Sequence, residues 1–320
     1  MKIELIILSY INSLTALIAS LKTILILRNL TKHQVRRMKL KHHYPYPSKH
    51  HIFDDCSTSI ESRFKRIFPK EYIGDKLQGR AYHEFTQQQE AFIAAHIADE
   101  SPQRCFNYLK LAHQFCQAHF RLALNPDVDL LLALDGKHIP ATGKSTLDYM
   151  SVNEWHRAFC LALVMRDNEA LIGTLCRFKA EDYINPQEED LPIDYPYCAF
   201  LQGLFNPEAD LQGLLQEIGK LSAPEYMPQR RQSYIYNIWL PFIELILAVL
   251  ARDEGRYQQA IEKGLVSNHA HFAQEQKKDI AEGWLPMHIC AAAVMAYDQC
   301  GFKLPFSSPY LPEWLVYGDF

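Results

Sequence analysis

Two stretches, LALVMRDNEAL at 161–171 and LAVLARDEGRY at 247–257, decide the fold. In each, an apolar run ends in an Arg–Asp pair, Arg166–Asp167 or Arg252–Asp253, and a second periodic segment follows. An Arg at a helix end complements the partial negative charge of the unpaired carbonyls there. The Asp after it is placed to accept from the exposed amides that open the next helix. Both stretches therefore read as corners of helical hairpins, and capping accounts for the Arg–Asp pairs without a ligand. A weaker echo, AAVMAYDQCGF at 292–302, puts Asp298 at a third such corner. The two clear copies lie 86 residues apart, too far for one tetratricopeptide-type unit. We expect stacked antiparallel helical hairpins, irregular and not a regular solenoid.

Outward from the corners the pattern stays helical. Ser101–Pro102 is a cap and a first-turn proline, and Phe106, Leu109, His113, Cys116 and Phe120 recur at threes and fours, giving a helix to about Leu124. SVNE at 151–154 is a capping box that opens a helix through Trp155, Phe159 and Leu163. Asn206-Pro207-Glu208 opens another, to about Lys220. Pro241 inside SYIYNIWLPFIELILAVL should kink that helix or mark its start. Segments 179–194 and 221–232 have turn chemistry, and the proline-rich tail SSPYLPEWLVYGDF should run extended, its aromatics covering the preceding helix. The chain has 13 Gly against 17 Phe and 17 Tyr, a balance that favours helices packed by aromatics over a turn-rich β-sandwich. The fold class expected is all-α, with a single domain over 51–320 and a hydrophobic, basic extension and linker over 1–50.

That extension has three open readings. Leu5–Leu21 carries no charge but has 17 residues, short of the roughly 20 that span a bilayer. It is a membrane anchor touching lipid through residues 1–28, an ordinary appended helix, or a start-site artefact upstream of Met38. The His/Tyr/Pro-rich connector 42–55 reads as an unstructured linker whose His42, His43, His50 and His51 form an exposed cluster.

Charge is unevenly placed. Residues 1–150 hold 20 Lys and Arg against 14 Asp and Glu, and residues 151–320 hold 13 against 23. An acidic half disfavours direct nucleic-acid contact and suits a basic protein partner. The eight cysteines form no CxxC pair and mostly sit in apolar helical stretches, as buried free thiols in a reducing cytoplasm do.

Candidate chemistry is thin. TGKST at 142–146 lacks the first glycine of a phosphate loop, because His138 stands there. His113, Cys116 and His119 make HxxCxxH on one helix, but the third lies about 9 Å along the axis from the first, beyond comfortable reach of one tetrahedral ion. His269 and His271 sit at a helix end, where dipole complementation or packing explains them. There is no HExxH, GxSxG or GxGxxG. The acidic residues Glu181, Asp182, Glu188, Glu189, Asp190 and Asp194 lie in a loop, without the apolar pocket that would raise one carboxyl pKa for catalysis. They read as a solvated, partner-facing patch. No cofactor, metal or catalytic residue is assigned.

The order of elements carries a resemblance. Trp155, Ala158, Phe159, Arg166 and Asp167 come first, followed by Arg252, Asp253, Glu254, Tyr257 and His269, and then Asp298, Gly301, Ser308, Tyr310 and Pro312. Over roughly 150–315 this resembles the immunity protein 49 family of bacterial polymorphic toxin systems. Tyr257 stands where a Phe is usual, Pro309 interrupts the S.YLP spacing, and residues 1–50 have no counterpart. The resemblance implies an all-α protein encoded beside a toxin, often a nuclease, which it neutralises by tight binding without catalysis. We expect a cytoplasmic immunity protein with a basic toxin as partner and the acidic loop at the interface. Two alternatives stand beside it. One is a helical hydrolase or metal-dependent enzyme, which two His converging with Glu or Asp in a deep pocket would favour. The other is a membrane-anchored helical adaptor.

Overall fold

The computed structural model describes residues 42–43, 49–71, 75–145, 149–180 and 191–320. The segment 1–41 and five of the six acidic candidates, Glu181, Asp182, Glu188, Glu189 and Asp190, lie outside these residues, as do the expectations placed on them.

Helices α1 (Lys49–Glu71), α2 (Asp75–Ile97) and α3 (Pro102–Ala123) open the fold, with α2 packed against both of the others. Ser101 Oγ accepts from Arg104 N and Pro102 occupies the first turn of α3, as the sequence predicts. The linker expected over 42–55 is instead helix from Lys49. Next comes an antiparallel hairpin of β1 (Asp129–Leu134) and β2 (Lys137–Thr142), the sole sheet among the described residues and an addition to the expected all-α stack. Its two-residue turn puts Asp135 at φ 47° and Gly136 at φ 70°, the left-handed pair of a type I′ turn. Leu132, Leu134 and Ala141 are buried on its inner face, with β1 against α3 and β2 against α2.

The second half stacks α4 (Val152–Val164), α5 (Leu171–Leu175), α6 (Asp194–Gly203) and α7 (Leu211–Leu221) with the long α8 (Gln229–Leu250) and α9 (Glu254–Phe272). After them come α10 (Ala281–Trp284), α11 (Met287–Cys300) and α12 (Glu313–Tyr317). Helix α11, alanine-rich and buried from Met287 to Ala296, packs against both α4 and α8. Small side chains let the three helices approach, and large rings fill the space around them. Tyr197 and Trp239 stack at 3.9 Å and Trp155 and Phe159 at 5.0 Å, all fully buried. Burying one such side chain contributes about 1.5–3 kcal/mol. Helix α8 is apolar enough to cross a membrane, with mean hydropathy 1.6, but 67% of its apolar window is covered by the protein. Pro241 does not break it. A π turn at Ile235–Trp239 widens the helix where the proline ring would meet the Asn237 carbonyl, four residues back.

Four local expectations need correction. Helix α7 starts after Asp210, whose carboxylate accepts from Gly213 N, while Asn206 caps a separate turn through Glu208 N. Ser151 does not bond the helix amides; its hydroxyl bonds the Glu154 carboxylate instead, so the capping box is short-circuited. The 292–302 echo is no Asp-capped corner, because α11 runs through Asp298 and closes at left-handed Gly301. The tail is not wholly extended: Pro312 O accepts from Leu315 N and Val316 N and starts α12, whose Trp314 meets Phe92 of α2 edge-on.

Candidate functional site

The two Arg–Asp corners form as the sequence predicts, with one detail it did not give. Arg166 N donates to Leu163 O and Asp167 N to Ala162 O, and Arg252 and Asp253 repeat the pattern on Val249 and Ala248. This closing motif holds Arg166 at φ 58° and Arg252 at φ 50°, a left-handed position that glycine usually fills. Asp167 then accepts from Ala170 N and Leu171 N, and Asp253 from Arg256 N.

The Arg166 side chain reaches far along the sequence. Its Nε lies 2.9 Å from Asp298 Oδ2, and a terminal nitrogen donates to Val316 O at 2.8 Å. It thereby ties the end of α4 to α11 and α12. Asp167 also meets His113 Nε2 at 2.9 Å; that hydrogen bond, with the capped amides, holds its carboxyl below the usual range. Other residues of the family motif also make contacts within the chain. Trp155 Nε1 donates to Leu175 O, and Tyr310 Oη accepts from His43 N. His269 faces His43 edge-on at 5.9 Å, and His42 stacks on Tyr310 at 4.4 Å. His42 and His43 are thus docked and half-buried, not part of an exposed cluster.

The HxxCxxH residues diverge: His113 turns to Asp167, Cys116 is buried, and His119 Nε2 donates to the Tyr149 carbonyl. At 142–146, Gly143 is required by close packing, not by phosphate. A Cβ there would stand 1.8 Å from Asn125 O, and the Gly143 amide donates to Val128 O. Asp194, proposed above as partner-facing, is 1% exposed; its carboxylate accepts from Arg231 and from Leu191 N. It belongs to the frame and not to a surface patch.

Spacing alone could not reveal a cavity of about 140 Å³ between α2, α4 and the 280–288 segment. Buried His156, Cys160, His288 and Gln89 line it together with Arg157, Glu90 and Glu282. Two histidines and two carboxylates do converge here, as the enzyme alternative requires. Burial raises the Glu90 carboxyl above its usual range, while it holds both imidazoles and the Cys160 thiol in their uncharged forms. Burial lowers His156 to about 3 and pushes His288 well down, so both are neutral and weak bases. Cys160 Sγ lies 3.3 Å from His156 Nε2, but burial raises this thiol far from the thiolate that attacks. Glu282 accepts from the Tyr234 hydroxyl at 3.1 Å. No three His, Cys, Asp or Glu side chains among the described residues are placed to hold a metal ion.

Neither a curated protein nor a solved structure matches the chain. Residues 96–315, from the end of α2 into α12, match the family described as Immunity protein 49. With more than half of the sequence matched, and with the Arg–Asp corners and their Arg166–Asp298 tie inside the match, the chain belongs to the immunity protein 49 family.

Proposed function

We propose that this protein binds a cognate bacterial toxin and neutralises it by covering the toxin's active site, without catalysis of its own. Membership of an immunity protein family over 96–315 carries the proposal. Two observations support it. The cavity holds neutral imidazoles and a protonated thiol, and residues 151–320 carry 23 acidic against 13 basic side chains. A toxin that cleaves nucleic acid needs a basic surface to attract phosphate, so an acidic partner is a fitting plug for it. An interface of about 1,600 Å² supports nanomolar or tighter binding. We place the encounter in the cytoplasm, a compartment that keeps eight free cysteines reduced.

The test is co-expression of the full chain with the toxin domain encoded by the adjacent reading frame. Rescue of growth and co-purification as a stable complex are the expected outcome. A neighbour that carries no toxin domain, or a toxin that stays lethal with the chain present, overturns the proposal. Reversal of Glu188, Glu189 and Asp190 to Lys should slow association and weaken its salt dependence. Unchanged association at low salt removes that loop from the interface.

A further inference from the structure

The β1–β2 hairpin packs one face on α2 and α3 and leaves a strand edge without a backbone partner among the described residues. The pair Leu134↔Lys137 closes a two-residue turn, so it is hydrogen-bonded, and the ladder then alternates along the register. Leu130, Leu132 and Leu134 direct their backbone groups at β2, while Asp129, Leu131 and Ala133 direct theirs away from it. The sheet has two strands, and no backbone hydrogen bond among the described residues joins β1 at 129–134 to anything but β2.

The two edges differ. On β2 the outward positions are His138, Pro140 and Thr142, and Pro140 has no N–H to offer, which blunts that edge against strand addition. On β1 all three outward residues keep both donor and acceptor. Side chains mark the same strand: Leu131 is 58% exposed and Val128 48%, more than most large apolar residues in the structure. Exposed Asp127, Asp129 and Asp135 lie along this strand and its ends, whereas Lys137, His138 and Lys144 belong to the other. An acidic, apolar-centred edge with a complete set of backbone groups is built to take a strand from a basic partner. A second copy of this chain fits it less well, because β1 against β1 sets acidic strands side by side.

We infer that the outer edge of β1, at Asp129, Leu131 and Ala133, pairs with an extended basic segment of the toxin and adds a third strand to the hairpin. This rests on the toxin-binding function proposed above and adds the hairpin edge as an element of the contact. The hairpin lies within the family match at 96–315.

The experiment uses the full chain and a catalytically dead form of the adjacent-frame toxin domain. Backbone hydrogen exchange is read on the chain with and without toxin, and affinity is measured for three variants. Leu131→Pro removes one outward N–H and mirrors Pro140 without breaking a ladder bond; we expect affinity to fall about tenfold, as loss of one or two intermolecular hydrogen bonds implies. Asp127→Lys with Asp129→Lys should slow association about tenfold at low salt. His138→Ala on the opposite edge should change neither. Thermal melts that match the parent chain show that each variant is folded. Amides of Asp129, Leu131 and Ala133 should gain protection in the complex, and those of His138 and Thr142 should not. If the parent chain binds toxin while these amides exchange as before and Leu131→Pro binds equally well, the edge inference is overturned and the toxin-binding function stands. If the parent chain does not bind, both fall.

Discussion

Arg166 and Arg252 occupy equivalent left-handed corners, so replacing each with glycine separates backbone strain from side-chain anchoring. A non-glycine residue at such a position costs roughly 1 kcal/mol, and glycine relieves it, less the extra freedom glycine gives the unfolded chain. At Arg252 the side chain makes no hydrogen bond or ion pair among the described residues. Arg252→Gly should therefore stabilise the protein, by up to about 1 kcal/mol. At Arg166 the same relief is set against the bond to Val316 O at 2.8 Å and the two-atom contact with Asp298. A hydrogen bond from a charged donor is worth about 1.5–3 kcal/mol. The ion pair is 27% and 38% exposed on its two sides and adds less than about 1 kcal/mol. Loss outweighs relief, and Arg166→Gly should destabilise by about 2 kcal/mol. Urea unfolding followed by circular dichroism measures both, with an unchanged m-value as the condition for comparison. The two substitutions should move stability in opposite directions. Equal shifts of the same sign would refute the tie between α4 and the C-terminal elements.

Three further outcomes follow from buried groups. Tyr257 is fully buried with its hydroxyl unpartnered, so Tyr257→Phe should raise stability by about 1 kcal/mol in the same urea assay, and a loss would show that the hydroxyl is satisfied. Asp194→Ala strands Arg231 and the Leu191 amide and should cost about 3 kcal/mol; a change below about 1 kcal/mol would return Asp194 to the surface. Burial lowers His43, His119 and His271 to about 4 and His156 to about 3. These folded-state values lie below the unfolded 6.5, so the stability they give is complete above pH 6.5 and is lost as pH falls towards 4. Unfolding free energy should decline steadily from pH 7 to pH 4, and a flat profile would contradict their burial as neutral rings.

What the sequence disclosed was local, and what it withheld was distant. Asp167 and Asp253 could be read because a cap acts within three or four residues of itself. The partner of Arg166 could not, since Asp298 lies 132 residues away and nothing near either residue encodes the contact. The β1–β2 hairpin went unread: an apolar run as short as DLLLAL fits a strand or a buried helix turn, and the Asp135–Gly136 dipeptide after it is the turn signal that favours the strand. Asp194 shared the composition of an acidic loop but opens α6, where burial beside Arg231 removes it from solvent. The cavity escaped because it joins Gln89, His156 and His288 from three separate segments. His156 and Cys160 are four apart on one helix, which the sequence shows, but only the fold reveals that both face inward among rings.

The most direct test of the proposal that this protein acts by binding and not by turnover is a titration of toxin activity with the purified full chain. Occlusion predicts a linear fall in activity that reaches zero at one equivalent, unchanged by longer incubation, and retained when His156→Gln and Cys160→Ser are introduced. Inactivation of many equivalents of toxin by one of chain, growing with time and abolished by those substitutions, would contradict it.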